Sequence, residues 1–179
     1  HSQGGGVVKR HIVLVGLPGS GKTTVGKLVA DRLGATFVDV DAIIERREGR
    51  PITLIFAEKG EAAFREMERK EMETALTGEP AVIAPGGGWA AQPGAIDSAK
   101  AHALVIYLYT RPETAVQRAT PAGTRPLLSG EDPVGRMRQL QKERESFYRN
   151  AHAHVDTDRK SAQQAMIEVV RLAQSSAGW

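Results

Sequence analysis

Apolar residues along this chain recur at two spacings. His11-Ile-Val-Leu-Val15 is a short β-branched run ending at Gly16, the pattern of a buried strand. From Thr23 to Leu33 the apolar positions are Val25, Leu28, Val29 and Leu33, one face of a helix, and Gly34 stands where a cap glycine belongs. Thr36 to Val40 reads as a second strand closing on Asp41, with Asp41 as N-cap of a short helix stopped by Gly49-Arg-Pro51. Thr53 to Glu58 predicts one or two helical turns, and Glu61 to Leu76 a longer charged helix ending at Gly78. Ala81 to Ala84 is a third strand, Ala95 to Ala101 a helix and Leu104 to Tyr109 a fourth strand. Thr110-Arg-Pro-Glu113 has the composition of a helix start with threonine as cap, and that helix runs to about Ala119. Val134 to Ala151 is a long helix, Ala153 to Asp156 a fifth strand, and Ser161 with Gln164 predicts a capping box on a last helix running to Ala173.

Strands alternating with helices imply an α/β fold, a parallel sheet covered by helices on both faces. Ligands of such sheets bind beyond the carboxyl ends of the strands, so the residues that follow each strand carry the chemistry. Residues 120–133 have no periodicity and are rich in Pro, Gly, Thr and Ser, and a loop that long in a compact domain is usually functional. Residues 1–9 read as a tag remnant and linker, and 10–179 as one domain.

The 179 residues contain no cysteine, which excludes disulfides, thiol catalysis and cysteine-ligated metals. No apolar run approaches the length of a membrane span. The net charge of +3 is too small to imply nucleic acid, and the basic residues are interleaved with acids. These features point to a cytoplasmic enzyme with a small anionic ligand.

After the first strand comes Gly16-Leu-Pro-Gly-Ser-Gly-Lys-Thr23, which fits G-x-x-x-x-G-K-[ST] between a strand and a helix. Glycines there let successive N–H groups point at phosphate oxygens, and the helix N-terminus adds partial positive charge. Lys22 would reach the β- and γ-phosphates, and the Thr23 hydroxyl would ligate Mg²⁺. Strand two ends Asp39-Val-Asp41, and strand alternation would put both carboxylates on one face. Asp39 suits the metal's water shell; Asp41 suits an acceptor hydroxyl that needs a base.

Gly86-Gly-Gly88 follows the third strand and would let a ligand approach the backbone closely. Arg65 and Glu68 are three apart on one helix and can pair. Arg144 lies on the apolar stripe of its helix, four after Leu140 and four before Tyr148, where a charge needs a partner such as a ligand carboxylate. Arg125, beside Pro126 in the irregular segment, suits a lid that closes on a phosphoryl group. Arg118 ends the preceding helix and points toward the same region. His152 and His154 stand at strand spacing with no third metal ligand near in sequence, and Trp89 reads equally as packing or as ligand wall.

Taken in order, GLPGSGKTT at 16–24, D-V-D at 39–41, F-R-x-x-E at 64–68, G-G-G at 86–88, T-R-P-L-L at 124–128 and R-x-x-x-Y at 144–148 resemble the shikimate kinases, over residues 10 to 175. The resemblance implies a three-layer nucleoside-monophosphate-kinase-like P-loop fold with a five-stranded parallel sheet of order 2-3-1-4-5. It implies ATP and shikimate as partners, Mg²⁺ as cofactor, and transfer of the γ-phosphoryl group to the 3-hydroxyl of shikimate in aromatic amino-acid biosynthesis. Asp41 would then bind and deprotonate the acceptor. Arg65, Arg144 and the turn of Gly86, Gly87 and Gly88 would hold shikimate, within an acceptor segment of about 41–77. Gly19, Ser20, Gly21, Lys22, Thr23 and Thr24 would hold the phosphates, Lys22 and Arg125 would serve catalysis, and Asp39 would sit behind the metal's waters. Arg118 and the Arg159-Lys160 turn would flank the adenine. Thr157-Asp-Arg-Lys-Ser161 departs from the family in having no proline, and Trp89 is bulkier than the small residue expected there. Other readings are a different small-molecule kinase of the same fold and a non-catalytic nucleotide-binding module; the presence of Lys22, Asp41 and Arg125 speaks against the second. Nothing demands a second chain, so a monomer is expected.

Overall fold

The computed structural model describes residues 8–119 and 132–179. In chain order the elements are β1 (His11–Val15), α1 (Lys22–Leu33), β2 (Thr36–Asp39), α2 (Val40–Glu48), α3 (Ile52–Thr77) and β3 (Ala81–Ala84). A 3₁₀ turn at Trp89–Ala91 leads to α4 (Ala95–Lys100) and β4 (Ala103–Tyr109). Then come α5 (Pro112–Ala119), α6 (Pro133–Tyr148), β5 (Ala153–Asp156) and α7 (Ala162–Ser176). The strands form one parallel sheet in the order β2-β3-β1-β4-β5, as expected.

Alternation along β1 divides the core. Ile12 and Leu14 pack with Val25 and Val29 of α1 and Val169 and Ala173 of α7 on one face. Val13 and Val15 pack with Ile44, Phe64, Met72, Met137 and Tyr148 on the other. Trp89, only 6 % exposed, belongs to this second core, which answers the packing question the sequence left open.

Two expected helix starts shift. β2 runs straight into α2 with no spacer, so Asp39, not Asp41, is the N-cap: its Oδ1 accepts the Ala42 N–H at 3.1 Å. Asp41 lies in the first turn of α2, so its nearness to Asp39 comes from a helix start and not from strand alternation. The Thr110 hydroxyl does not cap α5; it bonds the Thr157 hydroxyl at 2.6 Å, and Asp158 takes the Arg111 N–H. The two helical segments expected on either side of Gly60 both form within α3, broken by a kink at Gly60, whose φ of 84° no side-chain-bearing residue adopts without strain. The capping box of Ser161 and Gln164 forms as expected.

Most of the expected lid, with Arg125, lies outside the described residues, as do residues 1–7 of the predicted linker. Lys9 of that linker sits over the Trp179 ring at 4.6 Å, and Trp179 Nε1 donates to Arg10 O at 2.9 Å. Among the described residues no helix is long and apolar enough to cross a membrane.

Candidate active site

The β1–α1 loop is built to face an anion. Gly19 has φ 80°, and a Cβ there would run into the Ala115 backbone, so the loop and α5 touch only because this residue is glycine. Lys22 Nζ donates to the carbonyls of Gly16 at 2.5 Å and Leu17 at 3.0 Å, which holds the ammonium at the mouth of its own loop. Thr23 and Thr24 are exposed at the first turn of α1. Ser20 is buried, and its N–H turns inward to Leu17 O at 3.1 Å. Ser20 thus braces the loop from within.

The Gly86–Gly88 turn brings the acceptor-side groups together. None of the three glycines has a positive φ, so space and not backbone freedom requires them. A Cβ at Gly86 would overlap both the Asp41 and the Glu68 carboxylates, and one at Gly88 would overlap the Arg65 guanidinium. Arg144 Nη1 donates to Gly87 O at 2.6 Å, with Tyr148 Oη at 3.5 Å. The turn therefore packs against protein charges on three sides, where the sequence suggested only exposed amides.

Arg65 donates from Nη1 to Glu68 Oε1 at 3.0 Å and from Nη2 to Glu61 Oε2 at 3.4 Å. Its guanidinium carbon lies 5.8 Å and 5.7 Å from the Phe56 and Phe64 ring centroids. Arg65 Nε and Glu68 Oε2 are buried with no hydrogen-bond partner among the described residues. A buried donor of that kind calls for a ligand acceptor.

Glu68 is the residue sequence reasoning undervalued. It is 1 % exposed, and burial pushes its pKa up to about 7; nearby Asp41 pushes the same way, while Arg65 and Arg144 oppose the rise. The available signal was its place at i+4 from Phe64 and i−4 from Met72, both buried.

On the far side of the phosphate loop, Thr157 ties the end of β5 to α5 and β4. Its hydroxyl accepts from Arg118 Nη1 at 3.2 Å and donates to Tyr109 O at 3.0 Å, and its carbonyl accepts from Arg118 Nη2 at 2.8 Å. Lys160 donates to Asp156 O at 2.9 Å and pairs with Glu168 at 3.2 Å, so it braces its own turn. Arg111 and Asp158 pair across the same region at 2.5 Å.

The sheet order, the strand–glycine loop–helix unit and a second pole of carboxylate and arginines make this a P-loop kinase of small molecules. The shikimate kinase family model matches residues 18–174, and the chain belongs to that family. It is 44 % identical over 167 residues to a shikimate kinase of Symbiobacterium thermophilum, covering 92 % of this chain and 96 % of that one. Its fold superposes on the shikimate kinase of Acinetobacter baumannii solved in complex with shikimate with a TM-score of 0.87. That pair is 37 % identical and covers 93 % and 94 % of the two chains. A gluconokinase of Sinorhizobium meliloti shares the fold at a TM-score of 0.67 and 18 % identity, covering 96 % and 95 %.

Proposed function

We propose that this chain transfers the γ-phosphoryl group of ATP to the 3-hydroxyl of shikimate, giving shikimate 3-phosphate and ADP. The observation that carries the acceptor assignment is the convergence of Arg65 and Arg144 on the Gly86–Gly88 turn, with Asp41 against the same turn. Two guanidiniums suit one carboxylate, and the Asp41 carboxylate beside them suits one reacting hydroxyl.

In this reading the shikimate carboxylate lies between Arg65 and Arg144 and gives Arg65 Nε its missing acceptor. Asp41 takes the proton of the 3-hydroxyl as the oxygen bonds to the γ-phosphorus, and the bond from that phosphorus to the β–γ bridging oxygen breaks as ADP leaves. Gly19, Gly21, Lys22, Thr23 and Thr24 hold the phosphates, and Lys22 neutralises the charge that develops on the γ-oxygens. Arg118, fixed by Thr157, flanks the adenine, and Arg125 adds a further positive charge at the transferred group.

Thr23 and Asp39, the latter through a water, would hold Mg²⁺. These are hard oxygen donors, and few protein ligands suit an ion that keeps its waters and the substrate's phosphates. When bound, the ion would supply neutralisation of phosphate charge.

The test is ADP release from Mg-ATP with shikimate, gluconate, quinate, AMP or no acceptor. Turnover confined to shikimate is expected. Turnover with another acceptor would keep the phosphate site and overturn the acceptor site.

A further inference from the structure

Arg144 is held by more than its helix. Gln141, Arg144, Glu145 and Tyr148 occupy one face of α6, at the i, i+3, i+4 and i+7 positions. That face meets Tyr107 of the interior strand β4, which is 2 % exposed. Tyr107 Oη donates to Glu145 Oε2 at 2.9 Å, and its ring packs on the Tyr148 ring at 4.9 Å between centroids. Burial foremost, then the neighbouring Glu145 carboxylate, keep the Tyr107 phenol protonated and so a donor. Glu145 Oε1 accepts from Arg149 Nε at 3.1 Å, and Gln141 Nε2 reaches Thr110 O at 3.3 Å.

We infer that Tyr107 and Glu145 are positioning residues for the acceptor site: their hydrogen bond sets the rotation of α6 about its axis and so keeps Arg144 on Gly87 and aimed at the substrate carboxylate. The geometry works because Arg144 and Glu145 are adjacent on the helix. A turn of α6 that lengthened the Glu145–Tyr107 bond would swing Arg144 away from Gly87 by the same angle. The strand end is rigid, since β4 is paired on both sides, to β1 and β5. A hydrogen bond from rigid sheet to helix therefore fixes the helix and not the sheet. A salt bridge between two helices would leave both free to turn together.

This inference rests on Arg144 binding the acceptor, and the experiment separates the two. With the full-length enzyme, KM for shikimate and for ATP and the Tm are measured for Tyr107→Phe, Glu145→Ala, Glu145→Gln, the double variant Tyr107→Phe/Glu145→Ala, and Arg144→Ala. Tyr107→Phe and Glu145→Ala should each raise the shikimate KM about five- to tenfold, with the ATP KM within about twofold of wild type. The double variant should be no worse than either single one. Glu145→Gln keeps an acceptor oxygen and should retain the wild-type shikimate KM. A lowered Tm with an unchanged shikimate KM would mean the pair is merely structural and overturn the inference, as would equal rises in both KM values. If Tyr107→Phe does not fold, the contrast between Glu145→Ala and Glu145→Gln decides alone. An unchanged shikimate KM in Arg144→Ala would overturn the acceptor site and this inference together.

Discussion

Asp41 and Glu68 present their carboxylates to the same face of Gly86, one from the first turn of α2 and the other from the middle of α3. Two acids so placed cannot both ionise easily, and the one sealed from water keeps its proton longer. Glu68 is that one, with a pKa of about 7 against an ordinary value of 4.5. Asp41, only partly buried, is the base in the proposed reaction.

This sets a pH dependence with a definite sign. Between about 4.5 and 7 the native Glu68 retains a proton that the unfolded chain has released, so stability falls as pH rises through that window. The loss is of order 3 kcal/mol by the linkage relation. Glu68→Gln should flatten this part of the curve, seen as a narrower Tm difference between about pH 5 and pH 8 than in wild type. An unchanged difference would mean that Glu68 is ionised in the native protein.

Asp41→Asn removes the base but keeps the size and one acceptor oxygen. It should lower kcat by about 10²- to 10⁴-fold, the usual range for a positioned base. Shikimate binding measured by calorimetry should weaken far less. Normal turnover would show that the hydroxyl proton leaves by another route.

Gly88→Ala puts a methyl group where the Arg65 guanidinium now lies. The clash is with the tip of a flexible side chain, so the chain should fold with little loss of Tm while Arg65 moves off the turn. Shikimate KM should rise by about tenfold or more, the scale of one charged hydrogen bond, with ATP KM unchanged. Gly19→Ala is the contrast: it meets the backbone of Ala115 at a positive φ and should compromise folding itself.

His11 Nδ1 accepts the Ala81 N–H at 3.1 Å where β3 begins, and burial, foremost among its influences, keeps the ring below the usual 6.5. As pH falls below that value the unfolded chain takes up a proton that native His11 resists, so stability drops toward acid. This slope is opposite to that of Glu68. His11→Asn retains an acceptor at the same reach and should reduce the acid-side loss of Tm, while Glu68→Gln should leave it in place.

Much of this was legible because local chemistry and fold agree. The P-loop strand, its glycines and its helix are all written in fewer than twenty-five consecutive residues, and the capping box at Ser161 is written in four. The helix start after β2 was misplaced because Asp39 is both the last strand residue and the cap, a double duty that alternation cannot reveal. Glu68 was obscured by company. Glu61, Glu66, Arg69, Lys70 and Glu73 surround it in sequence, and only partners brought from the turn after β3, from α2 and from α6 separate the buried acid from these exposed neighbours. Thr157 carries no motif at all; its role comes from where β5 ends beside β4 and α5.

The chain's two tryptophans stand near opposite ends of the sheet's strands. Trp179 clasps the entry to β1, while Trp89 follows the glycine turn directly and is sealed in the core beneath it. In a Trp179→Phe background, intrinsic emission becomes a single-site optical gauge of the acceptor turn. Occupancy of that turn can then be titrated in the absence of nucleotide, with neither a label nor a coupled enzyme.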